Sequence, residues 1–193
     1  MKLDEFYKPI ELQPLDKNNQ PNFDLPESLD FDAYFNSLDT LLFNKPVSIK
    51  KYLYNNPLEN NQKQEKITIN PTDIIIVEGT MVSHGKARDY LDYKVFVDAD
   101  PQKCVERRFK RDLEERGYDK DDVIYKYENH IKDSFKKYIL PQKEQANLIV
   151  YNSVDVAEYQ TMVDTDIRQK ALELAVFLKY YTELKKRNKN KQI

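Results

Sequence analysis

Asp73-Ile74-Ile75-Ile76-Val77-Glu78-Gly79 places four consecutive β-branched apolar residues between two acids. A strand buried on both faces of a parallel sheet reads this way, because both sides of its pleat meet apolar layers. Tyr93-Lys94-Val95-Phe96-Val97 is a second such run, closed by Asp98, and Leu148–Tyr151 is a third short strand. Lys86 to Leu91, between the first two, fits a short crossover helix. Strands alternating with helices predict an α/β fold with a parallel sheet.

Outward from this centre the helical signals are regular. Pro101 opens a helix at the position proline favours, and it runs to about Arg116, where Gly117 ends it. A second helix is expected over about Asp121–Tyr138. A long one follows from about Val163 to Lys186, carrying Ile167, Ala171, Leu174, Ala175, Leu178 and Tyr181 along its length, before a frayed Lys- and Asn-rich tail. Toward the N-terminus the chain is irregular as far as Pro26. Phe31, Tyr34, Phe35, Leu38, Leu41 and Leu42 then mark one face of a helix, with Ser28 or Asp30 as its cap. Val47–Tyr54 is β-rich, Asn55–Lys66 reads as an exposed loop, and Ile67 and Ile69 alternate with polar residues in a half-buried strand. No repeat and no second domain interrupts residues 1–193.

The chain has 193 residues, 40% of them hydrophobic, which suits one globular domain with its own core. No run approaches the roughly 20 apolar residues of a membrane span. The 31 basic and 33 acidic residues are interspersed at a net charge of −2, so no broad basic field invites nucleic acid. Cys104 is the one cysteine, which excludes an internal disulfide and fits a reducing cytoplasm. It is expected to be buried within its helix.

Several residues can carry chemistry. Asp4, in Asp4-Glu5-Phe6-Tyr7, can act as a base toward a substrate hydroxyl, or belong to a solvated N-terminus. Glu78 stands where open α/β sheets place their ligands and can orient Mg²⁺, or serve as a surface acid. Arg107, Arg108, Lys110, Arg111 and Arg116 offer forked donors for phosphate. They can equally form a charged helix face with Glu106, Asp112, Glu114 and Glu115 through pairs such as Arg108 with Asp112. Gly79 to Ala87 resembles G-x-x-x-x-G-K-[ST], but its glycines are one residue too far apart, and Ala87 replaces the hydroxyl that holds Mg²⁺. His84 and His130 form no ligand pattern and are expected at the surface.

In order and spacing these pieces resemble the uridine kinase and phosphoribulokinase family. The matching stretches are Asp4-Glu5-Phe6-Tyr7-Lys8-Pro9; Asn22-Phe23-Asp24 with Pro26 and Leu29-Asp30-Phe31-Asp32; Ile74 to Gly79; Arg88 to Asp100; Arg107-Arg108 through Arg111-Asp112 to Glu115-Arg116-Gly117; and Leu140-Pro141-Gln142-Lys143 through Val150. The resemblance covers about residues 3–152, with 153–193 a helical extension. It implies a P-loop-kinase-like three-layer α/β fold with a parallel sheet. By position it implies Asp4 as the base for a ribose 5′-hydroxyl and Tyr7, Phe23, Asp24 and Tyr52 as nucleoside contacts. It also implies Glu78 near Mg²⁺, and Arg108, Arg111 and Arg116 as lid arginines over a triphosphate. The implied reaction is phosphoryl transfer from ATP or GTP with Mg²⁺ to uridine or cytidine, in pyrimidine salvage.

The sequence departs from the family pattern at defined points. Only Met1-Lys2-Leu3 precedes Asp4, where the family's first strand and phosphate loop are expected. The family's base-reading His falls near Pro57, Tyr118 replaces an arginine, and Lys126 replaces a glutamine. Three readings follow: a kinase whose chain is incomplete and therefore weak or inactive; a non-catalytic nucleoside-binding or regulatory subunit; and a kinase for another acceptor, such as nicotinamide riboside or a sugar phosphate. A homo-oligomer would cover the sheet edge left by the missing strand, and a partner would supply the loop.

Overall fold

The computed structural model describes residues 1–52, 65–152 and 166–189, with side chains of 169–183 in the last stretch. The expectations for residues 53–64, including the base-reading positions near Pro57, lie outside the described residues.

The chain opens in a 3-10 turn, Leu3–Phe6, that buries Leu3 and Phe6. Helix α1 (Phe31–Leu42) follows, capped by Asp30, whose carboxylate accepts from the Ala33 amide at 2.9 Å. Ser28 instead donates to the carbonyls of Phe23 and Leu25. Strands β1 (Val47–Lys50) and β2 (Lys66–Ile69) pair antiparallel, Val47 opposite Ile69. Ile67 and Ile69 are half-buried between exposed Lys66 and Thr68, as their alternation predicts. The expected crossover helix is a 3-10 helix, Gly85–Tyr90.

Strand β3 (Val95–Asp98) leads into α2 (Pro101–Glu114), where Asp100 caps the amides of Gln102 and Lys103. Gly117, at φ +66°, takes the left-handed turn beyond the helix end. A longer helical rod than expected comes next. It comprises α3 (Lys120–Lys126), a π turn Tyr127–Ile131, α4 (Lys132–Ser134), a π turn Phe135–Ile139 and α5 (Leu140–Lys143). Strand β4 (Leu148–Tyr151) returns parallel to β3, Val95 opposite Leu148. Helix α6 (Asp166–Lys189) packs back on this pair. Phe177 lies 4.8 Å from the Tyr93 ring, Tyr181 donates to Asp92, and the Lys170 ammonium reaches the Ile149 carbonyl. The architecture is thus mixed α/β with a parallel β3–β4 pair.

Burial departs from expectation at the strands. Ile74–Val77 forms no regular strand, and Ile74 and Ile76 are 40% and 72% exposed. Val95 and Val97 of β3 are exposed as well. The reason is pairing. Residues 76–78 bond along one edge only, to Met1–Leu3: the N-terminal ammonium donates to the Ile76 carbonyl, Glu78 N to Met1 O and Leu3 N to Glu78 O. Among the described residues no strand pairs with the other edge. Two further expectations fail: Cys104 is exposed, and His84 is half-buried between Phe31 and Tyr138.

The core joins Leu3, Phe6, Leu29, Tyr34, Leu38, Ile49, Met81 and Ala87. Each large side chain buried here stabilises the fold by about 1.5–3 kcal/mol. Tyr34 is fully buried, meets Phe6 edge-on at 5.4 Å, and its hydroxyl has no hydrogen-bond partner among the described residues. Burial alone pushes its pKa up to about 12. Tyr34→Phe removes that unmatched hydroxyl and keeps the ring. It is expected to cost nothing and to stabilise by up to about 1 kcal/mol, read as a raised Tm.

Candidate functional site

The short Met1–Leu3 ladder sets Asp4 beside Gly79. A Cβ on Gly79 would sit 2.7 Å from Leu3 Cβ and 3.6 Å from Asp4 Oδ1, so the Asp4 carboxylate lies beside Glu78-Gly79. The Glu78 side chain is exposed. Among the described residues no group of three or more His, Cys, Asp or Glu could hold a metal ion.

An aromatic group forms around Tyr7, three residues after Asp4. The Tyr7 ring stands edge-on to Phe23 at 5.8 Å and tilted against Tyr52 at 5.4 Å. The Tyr7 backbone bridges to Leu29, and the Glu5 carboxylate accepts from the Tyr52 amide. Burial, with smaller contributions from Tyr118 and Glu11, pushes the Tyr52 hydroxyl up to about 12, so it is a neutral donor at physiological pH. Lys126 sits 3.7 Å over the Tyr118 ring and pairs with Asp122 at 2.7 Å. The two residues that depart from the family pattern are therefore in contact with each other.

The arginines converge on carboxylates. Arg108 reaches Asp24 Oδ1 at 3.3 Å, and its Nε lies 3.3 Å from Asp112 Oδ2 as an ion pair without hydrogen-bond alignment. Arg111 and Arg116 meet Asp112 Oδ1 at 3.1 and 3.3 Å. Asp112, its side chain 5% exposed, is the hub. Its pairing with Arg108, one helical turn earlier, was legible in the spacing, whereas Arg116 reaches it from beyond the helix end. The burial of Asp112 was not legible.

The loop after Gly79 is tied to α5. Gln142 Nε2 donates to the Thr80 carbonyl at 2.9 Å, while its Oε1 accepts from the Ser83 amide and hydroxyl at 3.2 and 2.7 Å. The amides of His84 and Ala87 bond to Met81 and His84 carbonyls. A phosphate cradle needs consecutive amides turned outward. Residues 79–87, with three amides bonded within the protein, do not fit a triphosphate.

Residue spacing alone could not reveal a second, part-buried network centred on Asp16. His130, expected at the surface, is buried, because the π turn that carries it points Nε2 at Asp16 Oδ2, 2.7 Å away. Tyr125 donates to the same oxygen at 2.5 Å. Desolvation raises the Asp16 pKa, but hydrogen bonds from Tyr125, His130 and the Gln20 and Asn18 amides outweigh it and hold the carboxyl well below the usual range. A depressed folded pKa contributes stability above the unfolded value near 3.9, lost as pH falls below it. Acid denaturation followed by circular dichroism should therefore be shallower between about pH 4 and 2 in Asp16→Asn than in the wild type.

The fold is α/β with a parallel β3–β4 pair; Tyr7, Phe23 and Tyr52 form an aromatic group, and Arg108 joins Asp24 to Asp112. A model of the phosphoribulokinase / uridine kinase family matches residues 1–158, and the chain belongs to that family. It is similar to uridine-cytidine kinase A of Dictyostelium discoideum, 33% identical over 177 residues, covering 90% of this chain and 34% of that protein. Uridine-cytidine kinase B of the same organism is 30% identical over 183 residues, covering 94% of this chain and 74% of its own length. A uridine kinase of Lactobacillus helveticus is 34% identical over 151 residues, 78% of this chain and 70% of that enzyme. The chain thus spans about a third of the first relative and about three quarters of the second. No helix among the described residues is long and apolar enough to cross a membrane.

Proposed function

We propose that this chain is the acceptor-binding part of a uridine kinase-like phosphotransferase, taking uridine or cytidine. The observation that carries the reading is the convergence of Tyr7, Phe23 and Tyr52 with the Asp24–Arg108 pair, from four separate parts of the chain. Aromatic faces suit a base, and a carboxylate beside a guanidinium suits ribose hydroxyls. In this reading Asp4, whose carboxylate lies near Gly79, is the base for the proton of a 5′-hydroxyl. Arg108, Arg111 and Arg116 form a cationic face toward the departing charge. Glu78 is the acid for Mg²⁺, and the chain acts as one domain.

A second reading has its own support. The sequence contains no match to G-x-x-x-x-G-K-[ST], and the Gly79–Ala87 loop does not fit phosphates. The 193-residue polypeptide is therefore expected to bind nucleoside while transferring phosphate poorly or not at all, acting as a binding subunit unless a partner supplies the loop.

Calorimetric titration with uridine, cytidine and ATP·Mg²⁺ tests both. Nucleoside binding without ATP binding is expected. Tight ATP binding with turnover would sink the second reading, and no nucleoside binding would sink the first.

A further inference from the structure

Asp16-Lys17-Asn18-Asn19-Gln20 contains no apolar residue, so this loop cannot be held by burial. It is held by hydrogen bonds centred on one carboxylate. Asp16 Oδ1 accepts from the Asn18 and Gln20 amides at 2.8 and 2.9 Å, and Asp16 N donates to the Gln20 carbonyl. Asn19, at φ +59°, makes the left-handed turn, and Leu15 bridges to Pro21. The other oxygen leaves the loop, accepting from Tyr125 and His130, while Asn18 Nδ2 donates to the Tyr125 hydroxyl at 2.7 Å. The carboxylate is thus fully engaged: two donors close the loop and two fasten it to α3 and the π turn after it.

The loop runs straight into Asn22-Phe23-Asp24. Asn22 Oδ1 accepts from the Asp24 amide at 3.0 Å, and the Asp24 carbonyl accepts from the hydroxyl of Ser134, a turn beyond His130. Both ends of the segment 16–24 are therefore fixed to one helical rod.

We propose that Asp16 is a positioning residue. Through Tyr125 and His130 it holds Phe23 and Asp24 in place against Tyr7 and Arg108 before a nucleoside arrives. The proposal rests on the reading of Phe23 and Asp24 as nucleoside contacts. A polar loop left mobile would have to be ordered on binding, at a cost taken from affinity. The clasp makes that ordering part of folding.

The test uses the full chain as wild type, Asp16→Asn, Tyr125→Phe and His130→Gln. Hydrogen exchange is followed over residues 14–24, and uridine and cytidine affinity by calorimetry. Asp16→Asn should speed exchange over 14–24 and weaken nucleoside binding on the order of tenfold. Tyr125→Phe, which removes one hydroxyl, should do the same to a smaller extent and carries the test if Asp16→Asn does not fold. His130→Gln keeps an amide donor at the Nε2 position and should retain most of the affinity. Faster exchange with unchanged affinity would reduce Asp16 to a structural tie and overturn the proposal, as would unchanged exchange in both Asp16→Asn and Tyr125→Phe. A wild-type chain that binds neither nucleoside overturns the functional reading, and the positioning role falls with it.

Discussion

Gly79→Ala is expected to destabilise the folded chain by about 3 kcal/mol, from two costs. At φ +149° the residue holds a backbone conformation that side chains rarely adopt, worth about 1–3 kcal/mol of strain. The new Cβ would also meet Leu3 Cβ at 2.7 Å, and Leu3 is fully buried. A Cβ cannot swing aside as a side-chain end can, so relief must move backbone, at another 1–3 kcal/mol or so. The backbone to move is the Met1–Leu3 ladder, with its bonds of 2.8 Å from Leu3 N to Glu78 O and 3.1 Å from Glu78 N to Met1 O. Asp4 would shift with it. Gly85→Ala is the control: φ is +55° and nothing lies within 4 Å of its Cβ, so only the backbone cost of about 1 kcal/mol remains. Urea midpoints separate the two. Equal losses would show that Leu3 does not confine Gly79.

Asp112→Ala is expected to cost about 3 kcal/mol as well, by a different route. One nearly buried carboxylate faces Arg108, Arg111 and Arg116, whose side chains are 30%, 40% and 21% exposed. Removing it takes the shared carboxylate from three guanidinium groups, of which Arg108 keeps its pair with Asp24. Breaking a buried pair costs about 3–5 kcal/mol, and the partial exposure of the arginines places this case at the low end. Added salt should recover part of the loss, because it screens repulsion among exposed cations but cannot replace a buried acceptor. A loss below about 0.5 kcal/mol in equilibrium denaturation would mark the cluster as an ordinary surface charge face.

The helices were legible in the sequence because their signals are local. Asp30 and Asp100 cap amides within three residues, and Gly117 turns where a side chain would strain. The alternation at Ile67 and Ile69 reported half-burial correctly for the same reason. The run at Ile74–Val77 did not become a doubly buried strand, because burial of a strand depends on what lies beside it. Here only Met1–Leu3 does, among the described residues.

The site divides along the same line. By order and spacing the sequence alone determined the family, the α/β class and the residue types available for chemistry: Asp4, Tyr7, Phe23, Asp24, Tyr52, Glu78 and the arginines of α2. Only the tertiary structure decided their surroundings. It stood Tyr7 between Phe23 and Tyr52, set Asp24 against Arg108, made Asp112 a hub and closed the Gly79–Ala87 loop on Gln142. It also took His130 from its expected place at the surface into a buried bond with Asp16. Propensity, capping and periodicity act over a few residues and are written into neighbouring positions. Desolvation and charge pairing join residues such as Asp16 and His130, which lie at opposite ends of the family match and are brought together only when the chain folds.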